Sequence, residues 1–193
     1  MPAKPRSYIA VVKAAERTLR ARRIDHAFVG GIAVLAFGEP RTTMDVDVVA
    51  AYRLQDAAPL AAEFRRRGFL ASPEDLRCAL SDPSRGRLKD TRSWHWIDLI
   101  PVTGAAEAHA IEGHRTVRWR GMALPIAAPE HTVVMKLVFT GEKNLRDALG
   151  ILVRQRGRLD VRRMRAFARD RGVIEELRDL ESMARTLGRP GRR

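Results

Sequence analysis

Acids and valines alternate between Met44 and Ala50, as Asp45-Val46-Asp47-Val48-Val49. Side chains of a strand point to opposite faces in turn, so this spacing predicts a half-buried strand. Both carboxylates then leave one face, while Val46 and Val48 turn to a core. A chain with such a strand must build a sheet that is covered on one side and carries an acidic strip on the other. Two carboxylates this close repel each other unless a cation lies between them. Magnesium suits the pair, because it takes hard oxygen ligands and keeps places for water and phosphate. For an Asp-x-Asp taken alone, two solvated acids are the plain alternative.

The flanking segments extend the sheet. Apolar residues at helical spacing, Tyr8, Val11, Val12, Ala15 and Leu19, predict a helix over 7–23. Residues 26–29 predict a strand running into Gly30-Gly31, a tight turn, and a short helix through Phe37 that Gly38 and Pro40 stop. Downstream, the pattern gives a helix over 55–67, a polar surface loop over 81–93, a strand over 94–100 and a short helix over 105–111. A hairpin follows, with strands 116–119 and 123–126 around Arg-Gly-Met. From Pro129 only helices are expected, over 130–139, 143–155, 161–171 and 174–187, and the closing Gly-Arg-Pro-Gly-Arg-Arg is expected to be disordered. Strands mixed with helices, followed by helices alone, indicate an α/β (α+β) fold. It has a mixed β-sheet flanked by helices over 1–128 and a helical C-terminal part over 129–193.

Composition narrows the partners. The chain has 193 residues, 45 % of them hydrophobic, which suits one large domain or one domain with a helical appendage. Its net charge is +13, from 36 Lys and Arg against 23 Asp and Glu. Such a balance fits a polyanion, whether RNA, DNA or an acidic membrane face, and an arginine-rich composition bias is the alternative. The single cysteine, Cys78, cannot close an internal disulfide and is read as packing. With neither a secretory leader nor a long apolar run in sight, a cytoplasmic protein without a membrane span is expected.

Three further features bear on chemistry. Gly30-Gly31 at a strand-to-helix turn lets backbone N–H groups approach a phosphate, although an ordinary tight turn would look the same. Arg41-Thr42-Thr43 precedes the acids and can meet phosphate oxygens. Asp98 lies in the apolar run Trp96-Ile97-Asp98-Leu99-Ile100 and needs either a metal or an arginine as partner. Together, Asp45, Asp47 and Asp98 could hold metal between a triphosphate and an attacking hydroxyl, with Asp98 accepting or orienting the hydroxyl proton. No Gly-x-x-x-x-Gly-Lys-Ser/Thr, His-Glu-x-x-His or paired Cys-x-x-Cys occurs, which excludes a P-loop and disfavours zinc. The five histidines are read as structural or surface residues, and Trp94, Trp96 and Trp119 as packing rather than base stacking.

The segment VGGIAVLAFGEPRTTMDVDVV resembles the first motif of the polymerase-beta-type nucleotidyltransferase superfamily, in its toxin-related AbiEii-like branch. The similarity continues in order. Ile97-Asp98-Leu99-Ile100 resembles the strand of the third carboxylate. Residues 121–137 resemble the hairpin and helix that deliver Lys136, and Lys143-Asn144-Leu145-Arg146-Asp147 resembles a late Lys-Asp-x-(Lys/Arg)-Asp element. Gly31 stands where many members carry Ser, and Asn144 replaces an acid. The resemblance implies a small nucleotidyltransferase fold that uses magnesium, or manganese in its place, with a nucleoside triphosphate such as ATP as substrate. Asp45, Asp47 and Asp98 would be the catalytic, metal-holding acids. Gly30, Gly31, Arg41, Thr42, Lys136 and Lys143 would bind the nucleotide, and Asp147 could steady a lysine. The expected acceptor is RNA, a tRNA 3′ end, in a toxin-antitoxin setting with a protein antitoxin as a further partner. Transfer to a protein or antibiotic hydroxyl is the alternative, as is a non-catalytic nucleic-acid-binding relative.

The chain from Arg154 onward holds thirteen arginines, no lysine and six acids. Arg162, Arg163, Arg165, Arg169 and Arg171 crowd one expected helix, which reads either as a track for an RNA backbone or as a solvated face.

Overall fold

The acid–valine alternation forms β2 (Asp45–Ala50), the middle strand of a seven-stranded mixed sheet. The others are β1 (His26–Phe28), β3 (Phe69–Leu70), β4 (Arg87–Asp90), β5 (Trp96–Pro101), β6 (Arg115–Trp119) and β7 (Met122–Ile126), in the order β3-β4-β5-β2-β1-β7-β6. β2 runs parallel to β5 and antiparallel to β1, and β1 runs parallel to β7. The outer pairs β3–β4, β4–β5 and β6–β7 are antiparallel. The structure is a computed structural model and describes residues 5–187, so the arginine-rich tail lies outside the described residues.

The two sides of β2 account for the layers. Val46, Val48, Ile97 and Leu99 are fully buried. Helix α1 (Tyr8–Ala21) lies against β2 and packs on α3 (Ala57–Arg66). Ser7 caps α1 by accepting the Ala10 N–H, and the Val11, Val12, Ala15 and Leu19 stripe enters the core with Leu60, Ala61 and Phe64 of α3. In sequence β1 is followed by α2 (Gly30–Phe37), which is apolar on every side. On the acid face, Val49 packs with Ala110 of α5 (Ala105–Glu112), with Ala127 and with Ile100. Helix α5 therefore covers one end of that face and leaves Asp45 and Asp47 half-exposed at the other. The β6–β7 turn is tight, with positive φ at both Arg120 (48°) and Gly121 (79°).

The chain divides into two compact units. The first is the sheet unit, up to Ile32 together with Thr42–Ala127. The second joins Ala33–Arg41 to the chain from Ala128 onward. It contains α6 (Pro129–Val138), α7 (Glu142–Arg154), α8 (Val161–Asp170) and α9 (Ile174–Leu187). Its core comes from Val133, Val134, Leu137, Ile151, Met164, Phe167, Leu177 and Leu180.

The expected surface loop over 81–93 is not a loop throughout. It contains β4, and the short helix α4 (Pro73–Cys78) and strand β3 precede it. Leu88 is the only buried apolar side chain of Arg87-Leu88-Lys89-Asp90, so hydrophobic alternation gives little sign of the strand. Its other inward position is Asp90, whose fully buried side chain meets the Arg6 guanidinium at 2.8 Å. Arg6 also donates to the Arg67 carbonyl at 2.6 Å and lies over the Phe69 ring. Trp94, expected to pack, is 84 % exposed in the β4–β5 turn.

Losing one partner of a buried ion pair strands the other in a poorly solvating site. Asp90→Ala is therefore expected to cost about 3 kcal/mol or more in urea unfolding. The double change Arg6→Met with Asp90→Leu should recover most of that loss, because no charge is then left buried. Equal destabilisation of the double and single variants would contradict this account of β4.

Candidate active site

The register of the central parallel pair brings the acids together. Asp47 lies directly opposite Asp98, and Asp45 lies opposite Trp96. Alternation puts Asp45, Asp47, Trp96 and Asp98 on one face, and all four are half-buried. Asp47 is held from behind, where its carbonyl accepts the Val29 N–H at 3.0 Å and its Oδ2 accepts the Gly31 N–H at 3.4 Å. Gly30 has φ of +55°, and a Cβ there would fall 2.1 Å from Asp47 Oδ2. At Gly31 a Cβ would fall 2.4 Å from Thr43 Oγ1. The glycine pair thus makes room for Asp47 and Thr43, whereas the sequence suggested room for phosphate. The Thr43 hydroxyl occupies the space into which a serine side chain at position 31 would project.

Arg87 escaped the sequence reading because it lay in the supposed loop. On β4 it stands opposite Asp98 and grips it with both arms, Nε to Oδ1 at 2.7 Å and Nη2 to Oδ2 at 2.9 Å. That hydrogen-bonded charge, and more weakly Asp45 and Asp47, hold the Arg87 guanidinium above its usual pKa. The backbone beside Asp45 is pinned as well. Tyr8 donates its hydroxyl to the Asp45 carbonyl at 3.2 Å, and His95 Nδ1 lies 2.9 Å from the Met44 carbonyl. The three carboxylates offer hard oxygens on an uncovered face, a donor set that suits magnesium. With Asp98 engaged by Arg87, no three His, Cys, Asp or Glu side chains among the described residues form a ready metal cage.

The helical unit gathers its own expected residues around Asp147, which is 5 % exposed. Arg41 grips both its oxygens at 2.8 and 2.9 Å, and Lys136 Nζ lies 3.0 Å from Oδ2. Lys136 also donates to Asn144 Oδ1 at 2.9 Å, while Asn144 Nδ2 donates to the Thr140 carbonyl at 2.7 Å. A carboxylate at 144 could not make the second bond, so the amide belongs to the cap of α6. Lys143 and Thr42 are exposed. On α8, Arg165 is committed to Glu181 at 2.6 Å, and Arg162, Arg169 and Arg171 are exposed.

This is the fold of nucleotidyltransferases. The crystal structure of ANT(2″)-Ia in complex with adenylyl-2″-tobramycin matches with a TM-score of 0.58 and 15 % identity, over 85 % of this chain and 98 % of that one. The solution structure of the antibiotic-resistance factor ANT(2″)-Ia matches at 0.59 and 15 %, over 89 % and 96 %. An antigenic nucleotidyltransferase-like protein from Paracoccidioides brasiliensis matches at 0.52 and 13 %, over 94 % of each chain. No family model and no curated protein matches the sequence.

Burial alone would raise the Asp147 carboxyl, but hydrogen bonds and charge from Arg41 and Lys136 outweigh it and hold the group below the ordinary carboxylate value. A depressed folded value contributes stability above the unfolded carboxyl's titration, near pH ~4, and loses it as pH falls through the lower folded value. Asp147→Asn is therefore expected to be less stable than the parent chain at neutral pH, with the gap closing below about pH 4. Urea unfolding across that range checks this; a gap independent of pH would contradict it.

Proposed function

We propose that this chain transfers a nucleoside monophosphate from a nucleoside triphosphate to an acceptor hydroxyl, with magnesium. The observation that carries the reading is the Asp47–Asp98 register, with Asp45 on the same face of the same strand. Asp45 and Asp47 would hold the ion, joined by Asp98 when Arg87 releases it. Bound there, magnesium would draw charge from the phosphate and favour the deprotonated hydroxyl. The acceptor oxygen bonds to the α-phosphorus, the α–β anhydride bond breaks, and pyrophosphate leaves. Asp98 takes the hydroxyl proton. Arg41 and Lys136, both held on Asp147 within the helical unit, are the cations we propose for binding the nucleotide. Lys143 and Thr42, being exposed, remain candidates for the nucleotide.

For the acceptor we favour RNA, with a tRNA 3′ end as the form that the toxin-related resemblance suggests and a protein antitoxin as its counterpart. The charge of +13 supports a polyanion and disfavours a polycationic drug. An aminoglycoside hydroxyl is the second reading, supported by the likeness of fold to the structure with adenylyl-2″-tobramycin.

The test is incubation with each α-labelled triphosphate, with and without magnesium, against total RNA, cellular protein or an aminoglycoside. Label should pass to RNA only with the metal. Asp47→Asn should keep the unfolding midpoint within the range of surface variants and lower transfer by about a hundredfold or more. Transfer at the parent rate in that variant would overturn the metal role; label in the drug alone would establish the second reading.

A further inference from the structure

Beside Asp98 the same sheet face continues into a band of cations and aromatic rings. Trp96 precedes Asp98 by two residues, about 7 Å along the strand, and faces Lys89 in register on β4. Arg87 and Lys89 lie over its ring at 5.6 and 5.5 Å. A depression of about 420 Å³ opens here, lined by Trp96, Arg87, Lys89, Leu70 and Arg65. Leu70 and Lys89 also line a second, of about 510 Å³, which contains Trp94 and Arg92. Arg92 and Thr91 lead to a third, of about 640 Å³, where Lys13 and Arg17 of α1 face Arg65 and Arg66. Shared lining residues make these one continuous path from the carboxylates over the β3–β4 edge to α1.

The band keeps its charge. Its acids are already engaged: Asp90 with Arg6, Glu63 with Arg66 and Arg67, and Asp75 with Arg85. Among the described residues no carboxylate pairs with Lys13, Arg17, Lys89 or Arg92, and all four are exposed. Burial, and after it the charge of Arg92, push the Arg6 guanidinium down against the pull of Asp90. Trp94, 84 % exposed between Arg92 and Trp96 in sequence, has no packing role to explain it. Unpaired cations along a groove, with an open aromatic face at Trp94 among them, fit single-stranded nucleic acid: phosphates meet the cations and an unpaired base stacks on the ring.

We propose that the acceptor RNA lies along this band as a single strand, its reacting end at Asp98 beside Trp96 and its backbone passing Trp94 and Arg92 toward Lys13 and Arg17. The proposal deepens the RNA reading above and rests on it. It places the strand on the sheet unit, where cations and rings occur together; α8 offers cations alone, one of them committed to Glu181.

The test measures binding of a fluorescein-labelled, unstructured RNA of about a dozen nucleotides to the full chain by anisotropy over a salt series. Replacing Lys13, Arg17 and Arg92 by Ala together should weaken binding about tenfold or more and reduce the log–log salt slope by about 2. Trp94→Ala should weaken it about fivefold or more with the slope unchanged, and should do less to a duplex of the same sequence. Changing Arg162, Arg169 and Arg171 to Gln should leave affinity within about twofold of the parent. Circular dichroism confirms that each variant is folded. Parent affinity in both band variants would overturn the proposal, as would a larger loss from the α8 variant or equal loss of duplex and single strand in Trp94→Ala. RNA binding and label transfer are read separately on the parent chain and on each band variant. Band-dependent binding without label transfer to RNA would therefore refute the transfer reading and leave the track standing, whereas transfer to RNA that ignores the band variants would refute the track alone.

Discussion

The parallel pairing of β2 with β5 is the constraint on which the site depends. It sets Asp47 against Asp98, and a slip of one residue would turn one of the two carboxylates to the opposite face, among Val46, Val48, Ile97 and Leu99. The buried residues therefore do more than hold the sheet together. By refusing charge on their own side they force the acids onto the other, and α5 closes only part of that side. Stability and acid placement are two results of one alternation.

Each unit handles its charges differently. In the sheet unit three half-buried carboxylates share one face, and Arg87, itself half-exposed, grips one of them, Asp98. In the helical unit the ratio is reversed, with Arg41 and Lys136 both held on Asp147. Asn144 extends that cluster to the end of α6, so the lysine is fixed by a helix cap as well as by a counter-charge. At position 144, where the sequence departs from the acid of the family it resembles, stands the group that the local backbone uses.

Most of the fold was legible because its helices and central strands carry strong patterns. The alternation around Asp45 and Asp47, the stripe on α1, and the Arg-Gly turn between β6 and β7 each state their own geometry. Strand β4 did not, because it buries one leucine and one ion-paired aspartate, and an ion pair with Arg6, far away in sequence, leaves no periodic trace. Arg87 was hidden for the same reason. The spacing of Gly30 and Gly31 was visible but its purpose was not: that a glycine yields space to a side chain sixteen residues on can be seen only once β1 and β2 are paired. Trp94 was misjudged because composition cannot tell a ring in a core from one in a turn.

Arg87 gives the acidic face a counterion of its own. A cluster of carboxylates that relied wholly on dissolved cations would repel itself during synthesis and whenever metal ran short. Here the guanidinium travels with the chain, so the charge of Asp98 is offset within the sheet itself. Its place on β4, in register with β5, ties that counterion to the pairing of the two strands.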